Sequence, residues 1–136
     1  MKHKVPGTDY EFELSDDLWS SAEMEGFFPT SNHYATNQAS YFETVMIEEI
    51  EPPLRKNDKF WFRNQESVIE VLRKMRTGEE LEPIEVWSTQ KTNSKKYRVR
   101  DGFHRFYLSV AVGYRMLPIK VNDFDMNEFL EKEQKG

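Results

Sequence analysis

The sequence predicts a single α/β domain, a small mixed sheet flanked by helices, with an aromatic-rich N-terminal extension. Its 136 residues suit one domain, and 38% hydrophobic and 14% aromatic residues are enough for one core. Residues 97–121 have the pattern of strand, helix and strand. Residues 83–87 form another alternating stretch of apolar and polar side chains. Strands that alternate with helices indicate a layered α/β fold.

The first predicted strand covers residues 44–50, because Pro52 and Pro53 cannot continue a sheet ladder. A helix is predicted at residues 65–76, with Asn64 as N-cap and Gly78 just beyond its end. Its apolar positions recur at helical spacing: Val68, Val71, Leu72 and Met75.

The stretches at residues 83–87 and 97–100 are predicted to pair as a hairpin across a polar turn. The next helix is predicted at residues 102–112, and Gly113 supplies its C-terminal stop. A strand at residues 117–121 follows, and a right-handed crossover would make it parallel to the strand before the helix.

We place the folded domain at residues 44–125, the extension at residues 1–43, and a short helix and tail at residues 126–136. In the extension, Ser15 is a plausible N-cap for a helix, but residues 27–42 show no regular period. The aromatic extension could serve a protein partner.

Charge is unevenly distributed in this acidic chain, whose formal net charge is −5. Residues 91–121 contain eight basic and one acidic residues, whereas residues 1–53 contain two basic and eleven acidic ones. A local positive surface within an acidic protein favours small anionic ligands over long duplex DNA, so a DNA partner is considered but not favoured.

Several function classes are excluded or disfavoured by composition. The chain has no Cys, which excludes disulfides and thiol chemistry. No apolar run approaches a membrane span or signal peptide, so the sequence predicts a cytoplasmic location and no membrane partner. The residues His3, His33 and His104 show no metal-ligand spacing, and no transition-metal site is predicted.

The candidate binding motif is Asp101-Gly102-Phe103-His104-Arg105, where a strand meets a helix. The start of a helix attracts anions, and Gly102 lets a ligand approach the backbone. Arg105 can grip phosphate oxygens through two donors, and His104 can add a third. The alternative interpretation is structural: Asp101 caps the helix, while His104 and Arg105 lie on a solvated face.

This motif, together with the strand at residues 117–121, resembles the superfamily that joins sulfiredoxins to the N-terminal domain of ParB-type partition proteins. The resemblance covers about residues 44–121 and implies a nucleotide-handling ParB/sulfiredoxin-like fold. Sulfiredoxins need a Cys where this chain has Phe103, so the resemblance does not extend to sulfinic-acid reductase activity. The helix start is most similar to that of the free-serine kinases, which use ADP as phosphate donor; only Phe103 departs from their motif.

The resemblance implies that Gly102, His104 and Arg105 hold the phosphates of ATP, ADP or CTP, with or without Mg²⁺. Arg55 could complete the grip, although solvated loop charge is the alternative. Asp101 is the candidate catalytic residue, either as general base toward a hydroxyl acceptor or as a ligand of a Mg²⁺ ion carried by the nucleotide. The leading hypothesis is therefore binding of a nucleotide or other phosphorylated small molecule, with kinase-like phosphotransfer as an extension. The rival is a non-catalytic protein, either DNA-associated in a partition-like or nuclease-like manner or switched by nucleotide.

Overall fold

The computed structural model describes residues 1–37, 41–53, 64–89 and 95–122. Its helices are α1 (Asp16–Ser21), α2 (Gln65–Thr77) and α3 (Phe103–Val112), and a 3₁₀ helix covers Ile47–Glu49. Its strands are β1 (Lys2–Lys4), β2 (Glu11–Glu13), β3 (Glu43–Met46), β4 (Ile50–Glu51), β5 (Ile84–Ser88), β6 (Tyr97–Asp101) and β7 (Met116–Val121). No helix in these ranges is long and apolar enough to cross a membrane.

The central sheet has five strands in the order β3-β7-β5-β6-β4. The β3–β7 and β5–β6 pairs are antiparallel, whereas the β5–β7 and β4–β6 pairs are parallel. A small mixed sheet with helices is the predicted fold class, which is therefore confirmed. Strands β1 and β2 form a separate antiparallel hairpin.

The two edge strands of the sheet are almost consecutive in the chain, since only the 3₁₀ helix Ile47–Glu49 separates β3 from β4. In a flat sheet, edge strands four spacings apart would be separated by about 19 Å. Four residue steps span at most about 14 Å. The sheet must therefore curl, and the prediction of one strand at residues 44–50 is wrong because its two halves pair at opposite edges.

The hairpin of β5 and β6 is confirmed, with Val86 opposite Val99 and Trp87 opposite Arg98. The expectation that the strands around α3 run parallel is wrong. Strand β5 lies between them, parallel to β7 but antiparallel to β6, so β6 and β7 run in opposite directions. After helix α3, strand β7 therefore pairs with the side of β5 that faces away from β6, and not with β6 itself.

Both long helices begin and end close to their predicted positions. The Asn64 side chain accepts a hydrogen bond from the Ser67 amide (3.1 Å), and Gly78 ends α2 in the left-handed region. Gly113 ends α3 in the same way. The predicted C-terminal helix lies outside the described residues.

The N-terminal segment is more ordered than its sequence pattern suggests. The hairpin of β1 and β2 precedes α1, where Ser15 caps the helix by accepting from the Asp17 amide (3.2 Å) as predicted. The apolar side chains of the N-terminal segment belong to the same buried cluster as those of α2, α3 and the sheet. The members from this segment include Val5, Phe12, Leu14, Leu18, Met24 and Tyr34. Phe12 meets the Tyr107 ring edge-on at 5.0 Å, so the hairpin packs against α3.

Candidate functional site

Gly102 makes the sharp turn between β6 and α3. Its φ of 124° lies in a region that L side chains rarely adopt, and a Cβ there would sit 3.0 Å from two carbon atoms of Ile84. Gly102 is buried and is the N-cap residue of α3. The start of α3 can therefore pack directly on the first residue of β5. The alternative that Asp101 is the N-cap of the helix is wrong, because that position belongs to Gly102, which has no side chain to act as a cap.

The Arg105 side chain is hydrogen-bonded to the segment before β5 instead of projecting into solvent. Its Nη1 donates to the carbonyl oxygens of Glu82 (2.8 Å) and Pro83 (3.0 Å). Its Nη2 lies 3.6 Å from Oδ2 of Asp101, whose side chain is 71% exposed while that of Arg105 is only 17% exposed. The guanidinium thus ties the first turn of α3 to the segment before β5.

A cleft of about 730 Å³ opens over this helix start, and we name it the α3 cleft. One wall is the turn formed by Asp101 to Arg105, and another is the segment from Glu80 to Pro83. Helix α2 contributes Val71 and Lys74, and strand β7 contributes Lys120. This volume lies within the range of about 300–1,000 Å³ that is usual for small-ligand sites.

The α3 cleft carries both signs of charge. The cationic side chains in its lining are Lys74, Arg105 and Lys120, and the carboxylates are Glu80, Glu82, Glu85 and Asp101. Two of these carboxylates face arginines, since Glu85 lies 3.1 Å from Arg100 and Asp101 pairs with Arg105. The carboxylates outnumber the cations by one, and Lys74 also pairs with Glu70 (3.4 Å), so the lining as a whole has no net positive charge.

Four of the five site residues predicted from sequence line this one cleft: Asp101, Gly102, His104 and Arg105. Arg55, the fifth, lies outside the described residues. Sequence reasoning missed Lys74 and Lys120, because both belong to elements that only the tertiary fold brings to the helix start. In the sequence they read as ordinary solvated lysines on an amphipathic helix and a strand.

Tyr34 is a buried phenol next to the cleft wall that the sequence did not single out. Its hydroxyl donates to the Glu82 carbonyl (2.7 Å), and the side chain is only 1% exposed. Burial raises the pKa of this phenol above its usual value, although the nearby Arg105 charge acts in the opposite direction. The hydroxyl therefore stays protonated and keeps its role as donor.

In the described part of the basic stretch at residues 91–121, several cationic side chains form ion pairs or hydrogen bonds within the fold. Lys96 forms an ion pair with Glu49 (3.1 Å), and Lys95 Nζ donates to the Glu48 carbonyl (2.8 Å). Arg100 and Arg105 face Glu85 and Asp101, respectively.

Within residues 1–37, 41–53, 64–89 and 95–122, no three His, Asp or Glu side chains gather in a way that could hold a metal ion.

Comparisons with known proteins give structural likeness alone. The sequence matches no protein-family model and no curated protein. The structure is similar to that of the C-terminally truncated chromosome-partitioning protein ParB from Caulobacter crescentus complexed with CTP-gamma-S. The TM-score is 0.46 and the identity 22%, covering 68% of this chain and 50% of that one. This chain therefore spans about half the length of the ParB chain.

The structure is also similar to that of sulfiredoxin from Arabidopsis thaliana. The TM-score is 0.43 and the identity 20%, covering 70% of this chain and 98% of that one. These two proteins come from the two groups that the sequence motif resembles.

Proposed function

We propose that the α3 cleft binds a phosphate-bearing small molecule, with a nucleotide as the first candidate. The observation that carries this proposal is that a helix start whose N-cap residue is a glycine, with no side chain of its own to act as a cap, opens into a cleft of ligand size. The N-terminal end of a helix carries partial positive charge and oriented backbone donors, so it favours anionic groups.

The side chains around the helix start support this proposal. Lys74 and Lys120 reach the cleft from two different elements, and His104 lies on the first turn itself. A lysine ammonium or an imidazole can each donate to a phosphate oxygen. Arg105 already donates to two carbonyls, so in this proposal it shapes the cleft wall and adds positive charge rather than providing the main grip.

A nucleotide is favoured over other phosphates by the sequence motif. Asp101, Gly102, His104 and Arg105 resemble the helix start of the free-serine kinases, which handle ADP. The resemblance does not choose between ATP, ADP and CTP or decide whether Mg²⁺ accompanies them. The test must therefore present each nucleotide with and without this ion.

Ligand-dependent thermal unfolding tests the binding proposal. A ligand at about 100 times its dissociation constant stabilises the folded state by about 2.7 kcal/mol, which raises the Tm by several degrees. We expect at least one nucleotide to do so for the wild type. The variants His104→Ala and Lys120→Ala should lose most of the shift, whereas Lys2→Ala, on the separate hairpin, should keep it.

The proposal fails if ATP, ADP and CTP all leave the wild-type Tm unchanged. It also fails if both cleft variants respond as strongly as the wild type. The Tm of each variant without ligand shows whether the substitution damaged the fold itself.

Phosphoryl transfer is a narrower proposal for the same cleft, with Asp101 as general base toward a hydroxyl acceptor. Its exposed carboxylate lies at the cleft edge beside the helix start, where an acceptor could reach it. Asp101→Asn should then abolish product formation from nucleotide and acceptor while nucleotide binding persists. Nucleotide binding without turnover on any hydroxyl acceptor would leave the cleft as a binding site alone.

A further inference from the structure

One wall of the α3 cleft includes residues 81–83, which we name the rim. The rim follows α2 and leads directly into β5. Its residues lie outside both elements, so hydrogen bonds from other parts of the chain must fix its position.

Residues 32–36, which we name the arm, supply many of those bonds. The arm is anchored on the sheet, because the Asn32 carbonyl accepts from the amides of Arg115 (3.1 Å) and Met116 (3.0 Å). The Ala35 carbonyl accepts from the Leu81 amide (2.9 Å). The arm thus connects β7 to the rim.

Two buried side chains of the arm also donate to rim carbonyls. Thr36 Oγ1 donates to Leu81 (2.6 Å), and the Tyr34 hydroxyl donates to Glu82 (2.7 Å). Thr36 is 2% exposed and Tyr34 1% exposed, so water cannot readily replace either donor. A buried hydroxyl that loses its acceptor is destabilised, which makes these bonds specific constraints on the rim.

The Glu82 carbonyl is held from two sides. Tyr34 donates to it from the arm, and Arg105 Nη1 donates to it from the helix start (2.8 Å) while also reaching Pro83 (3.0 Å). A carbonyl oxygen has two lone pairs, so these two donors satisfy it. One oxygen atom therefore links the arm, the rim and the first turn of α3.

We infer that Tyr34 is a positioning residue for the α3 cleft, setting the distance between its rim and its helix start through the Glu82 carbonyl. The inference rests on the proposed function for its ligand, but the rim itself can be probed without one. Without the hydroxyl, Glu82 keeps only the Arg105 bond, so the rim and guanidinium can move together away from the position that fits the ligand.

The test uses Tyr34→Phe, which keeps the ring and removes only the donor, with Thr36→Val as a second variant acting on Leu81. Tyr114→Phe is the matched control, since Tyr114 is also buried but lies beyond the far end of α3. Each protein is titrated with ADP and with CTP at a temperature at which it is fully folded. Hydrogen exchange of the Leu81 amide is measured in parallel without ligand.

We expect Tyr34→Phe and Thr36→Val to weaken nucleotide affinity about fivefold, as loss of one ordinary hydrogen bond does. The Leu81 amide should exchange at least about tenfold faster, while the Tyr114 amide, which donates to Ser109, keeps its rate. Tyr114→Phe should bind like the wild type.

Wild-type affinity in Tyr34→Phe would overturn the inference while leaving the proposed function intact. If the wild type binds neither ADP nor CTP, the proposed function fails for these two nucleotides at the point where ligand is added. The exchange rate of Leu81 then decides the positioning role alone, and an unchanged rate in Tyr34→Phe rejects it.

Discussion

Gly102 combines two constraints that favour glycine over every other residue. Its φ of 124° excludes an unstrained side chain, and the missing Cβ leaves room for Ile84. Gly78, at the end of α2, has a φ of 78°, but a Cβ at that position would meet no heavy atom of the described residues within 4 Å. The two glycines therefore separate the cost of backbone conformation from the cost of close packing.

We expect Gly102→Ala to lower the free energy of unfolding by about 2–4 kcal/mol, the sum of the left-handed strain and overpacking. Gly78→Ala should cost about 1 kcal/mol, since only the strain applies. Urea unfolding of both variants measures the difference. Equal losses would show that the Ile84 contact does not constrain the turn.

His3 gives the N-terminal hairpin a pH dependence. Its ring lies 5.4 Å from that of Phe12, and burial together with the charged N-terminus lowers its pKa below the ordinary value of 6.5. The unfolded chain therefore binds a proton more readily than the folded one. The part of the stability that depends on neutral His3 is fully present above pH 6.5 and declines as the pH falls through 6.5 toward the lowered pKa.

Denaturant unfolding at about pH 7.5 and about pH 5.5, on either side of the ordinary histidine pKa, should thus show a smaller loss of stability for His3→Gln than for the wild type. Carboxylates titrate in both proteins, so the difference between the two pH profiles isolates His3. Superimposable profiles would contradict a role for His3.

At the scale of elements, the β1–β2 hairpin depends on its contact with α3. Phe12 is 3% exposed and meets Tyr107 edge-on, and Tyr107 in turn packs against Phe103 at 4.9 Å. Phe12→Ala should therefore lower stability by about 3–5 kcal/mol, as for other buried phenylalanines.

Phe28 provides the matched control for this prediction, because 80% of its surface is exposed. Phe28→Ala should change stability by no more than about 0.5 kcal/mol. Thermal or urea unfolding compares the two variants. A small effect of Phe12→Ala would mean that the hairpin adds little to the core.

The elements that the sequence predicts well are those whose signals are local. Helix α2 has an N-cap, an apolar stripe and a terminal glycine, and all three lie in the continuous segment from Asn64 to Gly78. The break between β3 and β4 has no such signal, because it results from pairing with β7 and β6 at opposite edges. The β1–β2 hairpin has only a weak signal, since its strands are three residues long.

The candidate site also has a part that can be predicted from local sequence and a part that depends on long-range contacts. Residues 101–105 are contiguous, so their clustering could be predicted. Tyr34 lies 48 residues from its partner Glu82, and Arg105 lies 23 residues from the same carbonyl. Contacts between residues so far apart in the sequence leave no local pattern. The hydrogen bonds to the Glu82 carbonyl and the two lysines of the cleft can therefore be found only from the fold.

At the scale of the whole molecule, the pairing of charges within the fold weighs against binding of duplex DNA. The carboxylates of Glu49 and Glu85 pair with Lys96 and Arg100, and Lys95 Nζ donates to the backbone carbonyl of Glu48. A protein that binds duplex DNA through phosphates needs several cations available to replace counterions. Pairing within the fold reduces their number.

We therefore expect no retention of the protein on duplex DNA at physiological salt, and at most weak binding at low salt. A filter-binding or electrophoretic assay across a salt series measures this. Strong retention that disappears when Lys95, Lys96 and Arg98 are neutralised would instead support the DNA-associated alternative.

The most direct measurement for the central claim is an amide NMR titration of the ¹⁵N-labelled chain with ADP and with CTP, each with and without Mg²⁺. If the α3 cleft holds the phosphates, the largest shift changes fall on the amides of residues 103–105, with smaller ones at the rim. Absence of any change, or largest changes on the β1–β2 hairpin or α1, would contradict a phosphate site at the start of α3.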